Sequence, residues 1–97
     1  MANTLTIAKA AEIDLLEAFV WYVEKENSLG LRFEESITNA VLSILNNPLQ
    51  FPIRYGDTRV CFLKEFPYGI HYRITENHIL IVAVFHTSRS PKIWEVR

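Results

Sequence analysis

From Lys9 to Glu26 the chain contains neither Gly nor Pro, and Ile13, Leu16, Val20 and Val23 recur at helical spacing. Leu15, Phe19 and Tyr22 widen that apolar face, so the stretch predicts an amphipathic helix. Glu12 and Asp14 stand in its early turns and Lys25 near its end, as the helix dipole favours. Asn27 and Ser28 can break and recap the chain, after which Phe33, Ile37, Ala40, Val41, Ile44 and Leu45 trace a second helical stripe that Asn46, Asn47 and Pro48 stop. So short a connection predicts an antiparallel helical hairpin. Ahead of it, Leu5 and Ile7 alternate with small polar residues and predict a first strand ending near Ala8.

The period changes after Asp57. Leu49 to Gly56, holding Pro52 and Gly56, reads as a loop with Phe51 and Ile53 over the core edge. Arg59 to Lys64 predicts a strand, Pro67 and Gly69 a turn, Ile70 to Thr75 a second strand, and Glu76 with Asn77 a tight hairpin into His78 to His86. The last strand is apolar at every position from Ile79 to Phe85, so both of its faces must be covered, which places it centrally beneath the helices. The first strand can join beside it. Ser90 and Pro91 end the sheet, leaving Lys92 to Arg97 as a short tail, a helical turn in which Ile93 and Trp94 can dock. The expected fold is therefore α+β, in the order β-α-α-β-β-β, with a mainly antiparallel sheet of about four strands under a helical hairpin.

Ninety-seven residues, 49% of them hydrophobic and 12% aromatic, suit one packed domain spanning 1–97. The one cysteine, Cys61, cannot form an internal disulfide and reads as strand filler; no Cys and His spacing suggests zinc, and no cofactor is expected. The apolar run Ile79 to Phe85 is far shorter than the roughly 18 to 20 residues of a membrane span, and no basic segment leads into an apolar one. A soluble, cytoplasmic protein is expected. The net charge of −1 hides an asymmetry. Residues 1–48 carry three bases against seven acids, a net of −4, and residues 49–97 carry seven against four, a net of +3. An anion-binding surface would belong to the second half, yet +3 is weak for a chain that lives on nucleic acid.

The element order resembles the RelE/ParE toxin superfamily, and particular residues carry the resemblance along essentially the whole chain. Asp14-Leu15 and Trp21-Tyr22 look like the family's first helix, Gly30 to Phe33 like its hairpin turn, and Asn47-Pro48 like its helix stop. Arg59, Phe66-Pro67-Tyr68, Tyr72, His86, Arg89, Pro91, Trp94 and Arg97 together are similar to the ParE-like branch. The resemblance implies the toxin of a type II toxin-antitoxin pair, held in a hetero-oligomer by an antitoxin encoded beside it. Within the superfamily, ParE toxins interfere with DNA gyrase, whereas RelE toxins cut mRNA on the ribosome.

Cleavage through the 2′-hydroxyl requires a proton acceptor, a proton donor and fixed positive charge. The residues that could supply these are Arg59, Arg73, His86 and Arg89. The archetypal nuclease's lysine pair is missing, and Trp94 stands where a hydroxyl or imidazole is wanted. The expectation is thus a gyrase-binding toxin; the alternatives are the nuclease and a non-toxic domain that only binds antitoxin. His86 has a catalytic reading and a structural one, in which it bonds a neighbouring carbonyl or Tyr; His71 and His78 have weaker claims. Arg59 and Arg73, on adjacent strands, could form an anion site, pair with Glu65 or Glu76, or meet the antitoxin. Trp21 and Tyr22 cannot both point inward, since neighbours on a helix lie about 100° apart. The expected partner-binding residues are Trp21, Tyr22, Arg59, Arg73, Trp94 and Arg97, with Phe66-Pro67-Tyr68 an anchoring turn.

Overall fold

The computed structural model describes residues 4–95, so the expected partner contact Arg97 lies outside the described residues. Strand β1 (Thr4–Ile7) leads through Ala8 into helix α1 (Lys9–Lys25), and Glu26 alone separates it from α2 (Asn27–Asn46). Strands β2 (Ile53–Tyr55), β3 (Thr58–Phe62), β4 (Tyr68–Thr75) and β5 (His78–His86) follow, then a short helix α3 (Pro91–Glu95). The sheet has five strands in the order β1-β5-β4-β3-β2. The β1–β5 pair is parallel and the other pairs are antiparallel. The α+β reading stands, with one strand more than expected.

That extra strand, β2, lies inside the stretch expected to be a loop. Tyr55 pairs with Thr58 across Gly56-Asp57, and Gly56 takes a φ of 50°, the left-handed region a tight hairpin needs. Pro52 keeps the strand to three residues at the sheet edge, where a missing N–H costs nothing.

β5 lies inside the sheet, between β1 and β4, as its unbroken apolar run requires. A bulge at Val82, where the pairing steps from His71↔Ala83 to Tyr72↔Ile81, shifts the phase of the strand. Ile79, Ile81 and Val84 therefore face the helices, and Ala83 and Phe85 face the other side. The main core joins the sheet to Phe33 and Ile44 of α2 and to Ala11, Ala18 and Tyr22 of α1. Tyr22 stacks on Phe33 at 5.2 Å and meets Phe66 edge-on at 4.9 Å, so the Phe66-Pro67 turn is clamped under the hairpin.

The expected apolar face of α1 is rotated. Ile13, Leu16 and Val20 are 48%, 62% and 43% exposed, whereas the small Ala11 and Ala18 are buried. Apolar residues occupy most of the circumference of α1, so periodicity alone does not single out the buried side. The sheet is approached through the two alanines because they admit the closest contact, and Tyr22 then sets the rotation. The α2 stripe packs as expected.

Candidate functional site

Between α1 and the ends of β4 and β5 lies an open cleft of about 510 Å³. α1 contributes Asp14, Glu17, Ala18, Trp21 and Tyr22; the Pro67-Tyr68 turn forms one end; Val84 and His86 form the floor, and Arg89 the rim. β1 pairs with β5 only from His78 to Ile81, which leaves the far half of β5 without a strand on that side among the described residues. Asp14 partly fills the gap, its carboxylate accepting the Val84 N–H at 3.0 Å. This bond ties α1 to the strand and fixes the width of the cleft.

Trp21 is 52% exposed and Tyr22 only 9%, the division that the 100° step between them demands. Trp21 leans edge-on against Tyr22, with centroids 5.0 Å apart, and the Lys25 ammonium lies 4.8 Å from its ring centre. Burial pushes the Tyr22 phenol above its ordinary pKa, helped by the neighbouring Tyr68. Burial raises Tyr68 likewise, against a lowering from the Arg89 charge. Both phenols are neutral hydroxyls at physiological pH.

His86 and Arg89 do come together at this cleft. The Arg89 N–H donates to the His86 carbonyl at 3.0 Å, and its guanidinium lies 5.4 Å from the centre of the Phe85 ring. The His86 ring meets Tyr68 edge-on at 5.2 Å. Its Nδ1 accepts the Ser88 N–H at 3.1 Å and lies 2.8 Å from the Ser88 hydroxyl. An Nδ1 that accepts from a backbone amide places the proton of the neutral ring on Nε2. The lone pair a general base needs is thereby held by the protein's own chain.

Arg59 and Arg73 are not brought together, which removes the anion site they could have formed. Arg59 pairs with Tyr72, so these two share the helix-side face and Arg73, one residue on, takes the other. Arg59 donates to the Phe51 carbonyl at 2.7 Å and ties down the chain before β2, where the Tyr72 hydroxyl also donates to the Pro48 carbonyl at 2.5 Å. Arg73 donates through Nε to the Thr58 hydroxyl at 3.0 Å. Neither arginine pairs with Glu65 or Glu76 among the described residues; the ion pair found there is Arg32–Glu65 at 3.9 Å. Of the four candidate groups of the nuclease reading, His86 and Arg89 thus meet at the cleft, Arg59 is turned to the chain before β2, and Arg73 lies on the opposite face of the sheet.

Trp94 docks on the face away from the helices, apart from the cleft. Its ring meets His71 at 4.8 Å and Tyr55 at 5.7 Å, over Phe85. His71 is buried, with Nδ1 2.9 Å from the Tyr55 hydroxyl. No spacing in the sequence announces this cluster, because it joins β2, β4, β5 and α3, four elements separate along the chain. His78 bonds the Thr4 hydroxyl and secures β1. Among the described residues no three His, Cys, Asp or Glu side chains gather to hold a metal, and no helix is long and apolar enough to cross a membrane.

Comparison with known proteins places this geometry. The profile of the ParE toxin of type II toxin-antitoxin systems, parDE, matches residues 5–91. The chain belongs to the ParE toxin family. Toxin ParE2 of Mycobacterium tuberculosis strain H37Rv is 30% identical to this ParE-type toxin over 96 residues, covering 98% of the chain and 91% of the relative. The same protein from strain CDC 1551 gives the same figures. A solved structure, the chromosomal ParDE TA system from P. aeruginosa, superposes with a TM-score of 0.78 at 18% identity, over 91% of this ParE chain and 98% of that one. At that identity the match speaks for the fold, and it agrees with the helical hairpin on a mainly antiparallel sheet.

Proposed function

We propose that this ParE-type toxin acts in the cytoplasm as a single domain by binding DNA gyrase, and that a cognate antitoxin neutralises it in a hetero-oligomer. The observation that carries the binding mode is the dispersal of the cationic and imidazole groups. Arg59 is spent on loop carbonyls, Arg73 lies on the opposite face, and the acceptor nitrogen of His86 is engaged by Ser88. RNA cleavage would need these groups converged on one phosphate. Trp21 supports a partner contact: it is a large, half-exposed aromatic at the rim of a cleft, the kind of anchor that dominates protein interfaces.

Expression without the antitoxin should arrest growth, and the purified protein should impair supercoiling by gyrase while cellular mRNA stays intact. Fragmented mRNA with unimpaired gyrase would replace this reading by the ribosome-dependent nuclease. Normal growth would leave only an antitoxin-binding domain. Trp21→Ala should weaken antitoxin binding by at least about tenfold without unfolding the chain.

A further inference from the structure

On the face of the sheet away from the helices, α3 covers the centre through Trp94, which rests on His71 and Tyr55. The β2–β3 corner of that face reaches solvent: Arg54 is exposed and Phe62 keeps 42% of its surface uncovered. Phe62 points to the same side as His71, because Val60 pairs with His71 and Phe62 stands two residues further along. Its own partner across the ladder is Gly69. A Cβ at Gly69 would stand 3.1 Å from Cδ1 and 3.2 Å from Cε1 of the Phe62 ring, so the glycine lets the ring lie down against β4.

The Arg54 guanidinium lies over that ring, 5.3 Å from its centre. A guanidinium placed on an aromatic face still offers its N–H edge, the fork that takes a carboxylate in two bonds. A second cation stands nearby. Arg73 holds the Thr58 hydroxyl through Nε and borders an open hollow of about 420 Å³ with Tyr55, Gly56, Asp57 and Thr58. Arg54, Asp57 and Arg73 form no ion pair among the described residues.

Charge decides the kind of partner. Two arginines with no carboxylate of their own draw acidic groups. Asp57, in the turn between β2 and β3, would repel a run of phosphates, and two cations are few for holding nucleic acid. A protein surface can set carboxylates against the arginines and a donor against Asp57. Arginine and aromatic side chains are also the types that contribute most to protein contacts.

We infer that Arg54, Phe62 and Arg73 form the surface that holds the toxin's protein target, gripping a patch of Asp or Glu carboxylates beside an apolar side chain. The inference rests on the proposed binding of gyrase. It sets the target contact on the opposite side of the sheet from Trp21, so loss of toxicity separates from loss of antitoxin binding.

The test uses the full chain, purified gyrase and the small protein encoded beside the toxin gene. Arg54→Glu and Phe62→Ala should each raise the concentration that half-inhibits supercoiling by roughly tenfold or more. Arg54→Glu combined with Arg73→Glu should abolish growth arrest. Antitoxin affinity should stay within about twofold of the parent, which also reports an intact fold. Should Phe62→Ala unfold the chain, Arg54→Glu at its exposed position decides. Inhibition by Arg54→Glu and by the double variant within about twofold of the parent would overturn the surface and leave gyrase as the target. An equal loss of antitoxin binding by a folded variant would overturn it and give the surface to the antitoxin. Binding of a DNA duplex, or self-association, that the parent shows and Arg54→Glu abolishes would overturn it in favour of nucleic acid or of a second copy. A parent chain without effect on gyrase would overturn the proposed target and this inference together.

Discussion

Tyr72→Phe removes one oxygen from the interior. The ring is fully buried, and its hydroxyl donates to the carbonyl of Pro48, itself buried, at 2.5 Å. Phenylalanine keeps the packing and leaves that carbonyl without its donor, a loss of about 1–3 kcal/mol. For a chain of this size that corresponds to a fall in Tm of roughly 4–8 °C per kcal/mol. The pH dependence provides the sharper check. Burial pushes the Tyr72 phenol up to about 12, against a lowering from the Arg59 charge, while the unfolded chain has the ordinary value of 10.0. A raised folded pKa contributes stability that is complete below pH 10 and lost as the pH climbs through 12. Linkage over the full shift gives about 2.7 kcal/mol, of which about 1.4 kcal/mol has gone by pH 11. Urea unfolding of the parent and the variant from pH 8 to 11 should therefore show the parent's advantage shrinking, with equal m-values. An advantage that stays constant over that range, or a variant as stable as the parent at pH 8, would refute the reasoning.

Gly30→Ala should destabilise the hairpin, because the new Cβ would overlap Cγ2 of Val23 and stand 3.3 Å from its Cα. Overpacking of about 1–3 kcal/mol exceeds the helix-propensity gain of about 1 kcal/mol. Val23→Ala in the same chain should recover part of the loss, and a double-mutant cycle showing no coupling counts against the close approach. Asp14→Ala should cost about 1.5–3 kcal/mol and speed exchange of the Val84 amide, since the charged acceptor of that N–H is gone. An unchanged exchange rate would mean the bond does not hold α1 to β5. His86→Ala should leave growth arrest largely intact; a loss of about 100-fold, of order 3 kcal/mol, would instead mean proton transfer.

The sequence by itself determined the elements and their order. The helices are marked by uninterrupted apolar recurrence ended by Asn46, Asn47 and Pro48, and β5 by an apolar run that can only be a strand covered on both faces. These signals are local, so they survive without coordinates. β2 was the exception: Gly56-Asp57 between Tyr55 and Thr58 is a hairpin signal, but the brevity of the strand and Pro52 made the stretch read as a loop. That one of Trp21 and Tyr22 must face outward followed from helix geometry alone.

The tertiary structure alone decided which sides of these elements meet. Strand register put Arg59 and Arg73 on opposite faces, because pairing Arg59 with Tyr72 fixes the alternation of every neighbour. The bulge at Val82 reversed the phase of β5 at mid-strand, which no apolar run reveals when every position is apolar. The rotation of α1 was settled by two small alanines and the seat of Tyr22, leaving Ile13, Leu16 and Val20 outside. Periodicity tells how many sides of a helix are apolar, but which one is buried depends on the shape and closeness of what packs against it, and that is known only once the sheet is in place.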